Sequence, residues 1–234
     1  MSHDFSKYDI LEYFGIKMAI PEQVYTPHED TDLISEFILE WIEKFDVSKR
    51  EDLKGMSIRI LEIGYGPGTI SFILILKLLE HKIEFFHAGT EVNPIAKEVA
   101  LYNSKLNGFD KVTHFLLGNL FEPLISVELK EPYDLIVINP PYLPSEPEII
   151  NNRNVQPIDL AWDGGITGSE VIIDFLNKIS QFTKRGTELI FISSSLAEQD
   201  SILDALKNIE FAVLLKKTKH IFFEDIILYY CRRK

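Results

Sequence analysis

Cysteine is nearly missing from this chain: Cys231 is the only one in 234 residues. An internal disulfide is therefore excluded, and so is a cysteine-rich metal site within the chain. The six histidines show no ligand spacing with it or with each other, so no metal site is expected. A basic excess is missing too, with 24 lysines and arginines against 36 acidic residues and a net charge of −12. Nucleic-acid binders carry a basic footprint because phosphate neutralisation supplies much of their affinity. A direct nucleic-acid substrate is accordingly disfavoured, although basic clusters stand at Lys216-Lys217-Thr218-Lys219 and Arg232-Arg233-Lys234. No apolar run spans a bilayer; the longest, Ile70 to Leu79, contains Ser71 and Lys77 and is too short. Met1 to Ile10 is polar and acidic, unlike a signal peptide. These absences suit a cytoplasmic protein with no membrane segment.

What is present reads as an alternation. The first 27 residues are irregular and form an N-terminal arm, with one or two helical turns over Tyr8 to Phe14. Residues 28–234 read as one domain without an internal linker. Leu33, Ile34, Phe37, Ile38, Trp41, Ile42 and Phe45 recur at three- and four-residue intervals, one face of a helix capped by Asp30 or Thr31. Val47 to Lys54 is a charged surface connection. Strands over 58–63, 85–90, 112–117, 135–138 and 188–193 then alternate with helices over 69–79, 94–106, 169–182 and 197–207. A final strand pair covers 212–216 and 226–230. Strands alternating with helices predict an α/β fold with a mostly parallel sheet, here closed by an antiparallel last strand.

Two turns carry the chemistry. "ILEIGYGPGTIS" places Gly64, Gly66 and Gly68 between the first strand of the alternation and its helix. In open α/β sheets, ligands sit beyond the carboxyl ends of the strands near this turn. Glycines let the backbone approach a ligand closely, and the helix start favours a carboxylate. Glu62 before the turn would repel a diphosphate but suit a cation. Glu91, ending the second strand, can accept bonds from both hydroxyls of a ribose. The spacing is G-x-G-x-G, which by itself is also compatible with a tight turn that binds nothing. Ribose, carboxylate and positive charge together describe S-adenosylmethionine.

The second turn is "VINPPYLP", where Asn139-Pro140-Pro141-Tyr142 ends a buried strand. An amide or aromatic amino nitrogen is a poor nucleophile because its lone pair is delocalised. The Asn139 oxygen and the Pro140 carbonyl could each accept one N–H of such a group. Tyr142 could lie against its flat face. The prolines remove two donors and fix two φ angles, keeping these carbonyls pointed.

The sequence Glu62-x-Gly64-x-Gly66-x-Gly68, then Glu91-Val92-Asn93-Pro94, then Asn139-Pro140-Pro141-Tyr142 resembles a class I S-adenosylmethionine methyltransferase acting on a planar nitrogen. "VYTPHEDTDLI" (Val24 to Ile34) and "DLAWDGGITGSEVI" (Asp159 to Ile172) resemble the HemK-type glutamine methyltransferases, short archaeal and eukaryotic branch. The resemblance implies a Rossmann-like seven-stranded sheet with helices on both faces. It also implies methylation of the Gly-Gly-Gln glutamine of a peptide-chain release factor at the side-chain nitrogen. It assigns Thr31 to the methionine moiety, Glu91 and Val92 to the nucleoside, and Asn139, Pro140, Pro141 and Tyr142 to the target amide. The family's adenine-binding Asp-Leu is Asn119-Leu120 here, where an amide oxygen can still accept the bond.

Tyr25 and Glu29 match the family stretch or anchor the helix entry; Trp162 borders the substrate opening or packs; Trp41 is core. The strand "VTHFLL" would be an outer edge, yet it has no proline and no inward charge to protect it. The short-branch relatives work with a small zinc-binding activator protein, which implies a heterodimer through this edge. The alternative is that the arm or a loop covers it. Two other functions stay open: an N6-adenine methyltransferase on RNA or DNA, and a non-catalytic module that binds S-adenosylmethionine or a partner.

Overall fold

The computed structural model describes residues 4–44, 57–145 and 161–234. Phe45, the connection Val47 to Lys54, and Asp159 and Leu160 of the Asp159 to Ile172 stretch lie outside the described residues. The chain divides into two compact units, Met1–Glu128 and Leu129–Lys234.

The first unit opens with a single 3-10 turn, Phe5–Lys7, capped by the Asp4 side chain. Strands β1 (Ile10–Tyr13) and β2 (Ile16–Ala19) follow as an antiparallel hairpin. The helical turns expected over Tyr8 to Phe14 are not formed. Phe14 and Gly15 both take positive φ, 47° and 85°, the two-residue turn that matches the twist of paired strands. Beyond that turn, β2 hides Ile16 and Met18 and exposes Lys17. The free edge of β2 is matched from outside the hairpin. Asn107 accepts from Lys17 N (2.8 Å) and donates to Lys17 O (2.7 Å). Asn103 does the same for Ala19 N (2.8 Å) and Ala19 O (3.1 Å). Two asparagines one helical turn apart thus stand in for a neighbouring strand.

Helix α1 is Glu29–Lys44 and buries Leu33, Ile34, Phe37, Ile38, Trp41 and Ile42, the expected face. It begins at Glu29, so Asp30 and Thr31 sit inside its first turn and are not its cap. Acidic residues Glu29, Asp30 and Asp32 occupy that turn, where the helix dipole favours negative charge. Then come β3 (Ile58–Ile63), α2 (Thr69–Glu80), β4 (Phe85–Glu91), α3 (Pro94–Leu106), β5 (Thr113–Leu117) and the short α4 (Glu122–Ser126). Strands β3, β4 and β5 are parallel neighbours.

The second unit holds β6 (Tyr133–Ile138), α5 (Glu170–Lys178), β7 (Thr183–Ser194), α6 (Gln199–Asn208), β8 (Phe211–Ile221) and β9 (Glu224–Arg233). All six β6 residues are buried, as expected of a strand covered on both faces. Strand β7 runs parallel to β6, and β9 antiparallel to both β7 and β8. The strand order is β5-β4-β3-β6-β7-β9-β8. This is the seven-stranded, mostly parallel sheet that was expected, with the last strand reversed. The final hairpin is about twice as long as its apolar stretches suggest, because an edge strand tolerates the polar run Lys216 to His220. Among the described residues no helix is long and apolar enough to cross a membrane.

Candidate active site

In the first unit, the carboxyl ends of β3, β4 and β5 converge. Gly64 N donates to Thr90 O (2.7 Å), which ties the glycine turn to the end of β4. Gly66 N donates to Glu91 Oε2 (3.0 Å), and Asn93 N to Glu91 Oε1 (2.8 Å). Each Glu91 oxygen so accepts one backbone N–H and keeps lone pairs for a ligand. Burial pushes the Glu91 carboxyl up, opposed by backbone bonds from Asn93, Gly66 and Val92. Gly118 N donates to Glu91 O (2.8 Å), which brings Asn119 beside the same strand end. Asn119 is exposed, and Leu120 takes a positive φ of 44° as Glu122 N closes a turn on Asn119 O (3.0 Å). Val92 is 51% exposed at the rim. Gly64 and Gly66 have positive φ, 71° and 53°, and nothing lies within 4 Å of the position a Cβ would take. Gly68, φ 95°, precedes α2 against the Phe72 ring. The turn therefore presents bare backbone to open space beside a carboxylate.

Glu62 lies beneath the turn. It is 1% exposed, and Ser71, one turn into α2, donates its hydroxyl to Glu62 Oε2. Burial pushes the carboxyl up to about 8, opposed by the Ser71 bonds and aided by the nearby Glu91 charge. Its proton is therefore held well above the usual carboxylate range. His87 Nε2 lies 2.9 Å from the same Ser71 hydroxyl. Burial pulls His87 down to about 3, so its ring is neutral. His87 Nδ1 is buried with no hydrogen-bond partner among the described residues. Sequence reasoning missed Ser71 and His87, which look like an apolar-run serine and a strand histidine.

Thr31 is buried in α1, where its N–H and hydroxyl both donate to Asp30 Oδ1 (2.6 and 3.2 Å). The Tyr25 hydroxyl reaches both Asp30 oxygens (3.0 Å each), so Tyr25 anchors the helix entry. Asn103, fully buried, also donates to Pro67 O (3.1 Å) and so links the glycine turn to β2. A buried asparagine in mid-helix was the only signal for it.

In the second unit, Asn139 ends β6 half-buried, followed by buried Pro140 and half-buried Pro141 and Tyr142. Residues 161–170 buttress this corner. Leu143 pairs with Asp163 in a parallel bridge: Leu143 N donates to Trp162 O (3.1 Å) and Gly164 N to Leu143 O (2.8 Å). Ser145 N donates to Gly165 O (2.8 Å), and the Ser145 hydroxyl to Asp163 Oδ1 (2.5 Å). A Cβ at Gly164 would stand 2.9 Å from Pro141 O, and one at Gly168 would stand 2.7 Å from Tyr142 O. Asp163, Gly164 and Gly168 were not singled out from sequence; the Gly-Gly pair after Asp163 was the available signal. Trp162 contributes its backbone carbonyl, with its side chain half-buried.

No family model matches the chain. A relative from Methanocaldococcus jannaschii, provisionally named a protein N5-glutamine methyltransferase, is 31% identical over 220 residues, 94% of this chain and 96% of its own. A release factor glutamine methyltransferase from Agrobacterium fabrum is 27% identical over 209 residues, 84% of this chain and 67% of its own. The fold matches that of ribosomal protein L11 methylase from Lactobacillus delbrueckii (TM-score 0.58, 17% identity, 92% of this chain and 83% of that one). It also matches that of TrmK from M. capricolum, solved with S-adenosylhomocysteine (TM-score 0.54, 15% identity, 85% of this chain and 68% of that one).

Proposed function

This chain belongs to the protein N5-glutamine methyltransferase family, and from that premise we propose that it methylates the side-chain nitrogen of a protein glutamine, the Gly-Gly-Gln glutamine of a peptide-chain release factor. The observation that carries the reading is the Asn139-Pro140-Pro141-Tyr142 corner at the end of β6, braced by Asp163, Gly164 and Gly168. When bound, S-adenosylmethionine supplies a methyl carbon on a positively charged sulfur. The bare backbone at Gly64 and Gly66, open space above it and the accepting oxygens of Glu91 fit a nucleoside that ends in an amino acid. Glu91 would hold the ribose, Val92 and Leu120 would border the base, and Asn119 would accept from its amino group. Thr31 serves the methionine end, although its hydroxyl is already held by Asp30.

At the acceptor corner, Asn139 Oδ1 and Pro140 O each accept one N–H of the glutamine amide. Those bonds would orient the nitrogen and favour the positive charge that develops on it when it accepts a methyl group. One amide proton then leaves to solvent. Tyr142 lies against the flat amide. Holding the partners in attack geometry can supply about 7–11 kcal/mol of such a barrier. No general base is needed before transfer.

A small zinc-binding activator completes the enzyme as a heterodimer through β5. That strand is outermost in the sheet order, pairs with β4, and leaves Leu117 44% exposed. The strand at the opposite end, β8, carries Lys216, Lys217 and Lys219 and a bulge at Val213/Leu215, the usual protections of a free edge. A cytoplasmic location follows from a release factor substrate.

The test supplies labelled S-adenosylmethionine with three acceptors: a release factor, the same factor with Gln→Ala in its Gly-Gly-Gln loop, and structured RNA. Label is expected on the first alone. Label on RNA but not on protein would overturn the substrate. Asn139→Ala is expected to lower turnover at least ~1000-fold with donor affinity within about twofold of wild type; loss of both would make Asn139 structural.

A further inference from the structure

Asn103 sits in the interior of α3, where asparagine is a poor helix former. It is fully buried, and both of its amide N–H groups are spent. Oδ1 accepts from Ala19 N (2.8 Å), while Nδ2 donates to Ala19 O and to Pro67 O (3.1 Å each). Closing the edge of β2 accounts for the two bonds to Ala19 but not for the third. Asn107 shows the difference. It makes the same pair of bonds to Lys17, and its other donation stays within α3, to Asn103 O (2.8 Å). Of the two asparagines, Asn103 is the one that reaches the glycine turn.

That third bond gains its meaning from where Pro67 stands. Proline has no N–H, and its neighbours Gly66 and Gly68 take φ of 53° and 95°, in a stretch with little side chain to hold it. Gly66 N is tied to Glu91 Oε2, and Gly68 N to Tyr65 O (2.8 Å). The Pro67 carbonyl is gripped from α3. A peptide unit is planar, so fixing that oxygen fixes the Pro67–Gly68 plane from which α2 starts. Strand β2 also touches the first residue of α2, where the Thr69 hydroxyl donates to Met18 Sδ (3.3 Å). All of these contacts lie within the first unit.

We propose that Asn103 is a positioning residue for the S-adenosylmethionine site. One amide grips the Pro67 carbonyl and Ala19 together, so the glycine turn is set against the β1–β2 hairpin and donor affinity depends on that hairpin being docked. This rests on the donor lying at the glycine turn. Asn103 acts through Pro67, as a support that holds a binding backbone in its productive shape. Linkage is reciprocal, so a bound donor steadies the same bonds.

The test compares Asn103→Ala with Asn107→Ala by calorimetry against S-adenosylmethionine and S-adenosylhomocysteine. Each variant removes one pair of bonds from β2, so each lowers Tm. Asn103→Ala is expected to raise Kd for both compounds ~10-fold, about the worth of one hydrogen bond, with the binding stoichiometry unchanged. KM for the donor should rise with it, while kcat at saturating donor stays within about twofold of wild type. Asn107→Ala should keep Kd within about twofold of wild type. An unchanged Kd in Asn103→Ala overturns the inference, as does an equal rise in both variants. A loss confined to stoichiometry reports unfolded protein and overturns it as well. Should Asn103→Ala fail to fold, amide exchange in the wild type decides. S-adenosylhomocysteine should then slow exchange of the Ala19 N–H at least ~5-fold more than that of the Lys17 N–H, and equal slowing overturns the inference. If the wild-type chain binds neither compound, the donor reading fails first and this inference with it, a result distinct from the others.

Discussion

Glu62 shows how a single residue can keep its place in a motif and change its chemistry. Its position before the glycine turn suggests a charge, but burial raises it to about 8 and Ser71 and His87 complete a neutral chain beneath the turn. The consequence is a pH dependence with a definite sign. Unfolded, the carboxyl ionises near its ordinary value of 4.5, while folded it holds its proton up to about 8. The folded state therefore binds more protons in this window. Stability from this group is fully present below 4.5 and is lost as pH rises towards 8. Glu62→Gln, of the same shape and always neutral, should flatten that slope. Thermal melts should show the variant at least ~3 °C above wild type at pH 8.5 and nearly level with it at pH 4.5. A wild-type Tm that rises from pH 5 to 8, with Glu62→Gln tracking it, would refute the neutral-acid assignment.

Among elements, the loop over 161–170 does what the prolines cannot do alone. Prolines fix two φ angles, but the direction of the Pro140 carbonyl also depends on what lies behind Pro141 and Tyr142. Gly164 and Gly168 bring backbone against those two carbonyls, and the Leu143–Asp163 bridge sets the register. Gly164→Ala should push the corner by several tenths of an ångström. Misplacement on the ångström scale costs about 100-fold in rate. We expect kcat to fall ~10- to 100-fold while donor affinity, measured by calorimetry, changes less than twofold. A kcat within twofold of wild type would show that the loop does not position the corner. The glycines were visible in the sequence as part of a family stretch; their role was not, because it depends on the carbonyls of Pro141 and Tyr142, far earlier in the chain.

For the whole molecule, the two edges of the sheet make opposite statements about solubility. Strand β8 is blunted by lysines and a bulge, while β5, last in the sheet order, offers apolar Leu117. Alone, the purified chain should self-associate at micromolar concentration, and coexpression with the zinc-binding activator should give a monodisperse one-to-one complex by light scattering. Leu117→Lys should lower self-association about tenfold and also weaken the complex. A chain that is monodisperse and fully active without a partner removes the motive for the heterodimer.

Sequence alone determined the strand–helix alternation, the buried α1 face, the glycine turn and the double-proline corner. Each of these is written in local terms: a period of 3.6, an unbroken apolar run, or a residue whose φ is restricted. The β1–β2 hairpin, the charge state of Glu62 and the bracing of Tyr142 were decided only by tertiary structure. Asn103 and Asn107 complete β2 from more than eighty residues away, and Glu62 loses its charge because the fold removes water from it. Long-range partners and desolvation leave no periodic trace along a chain, so only the folded molecule displays them.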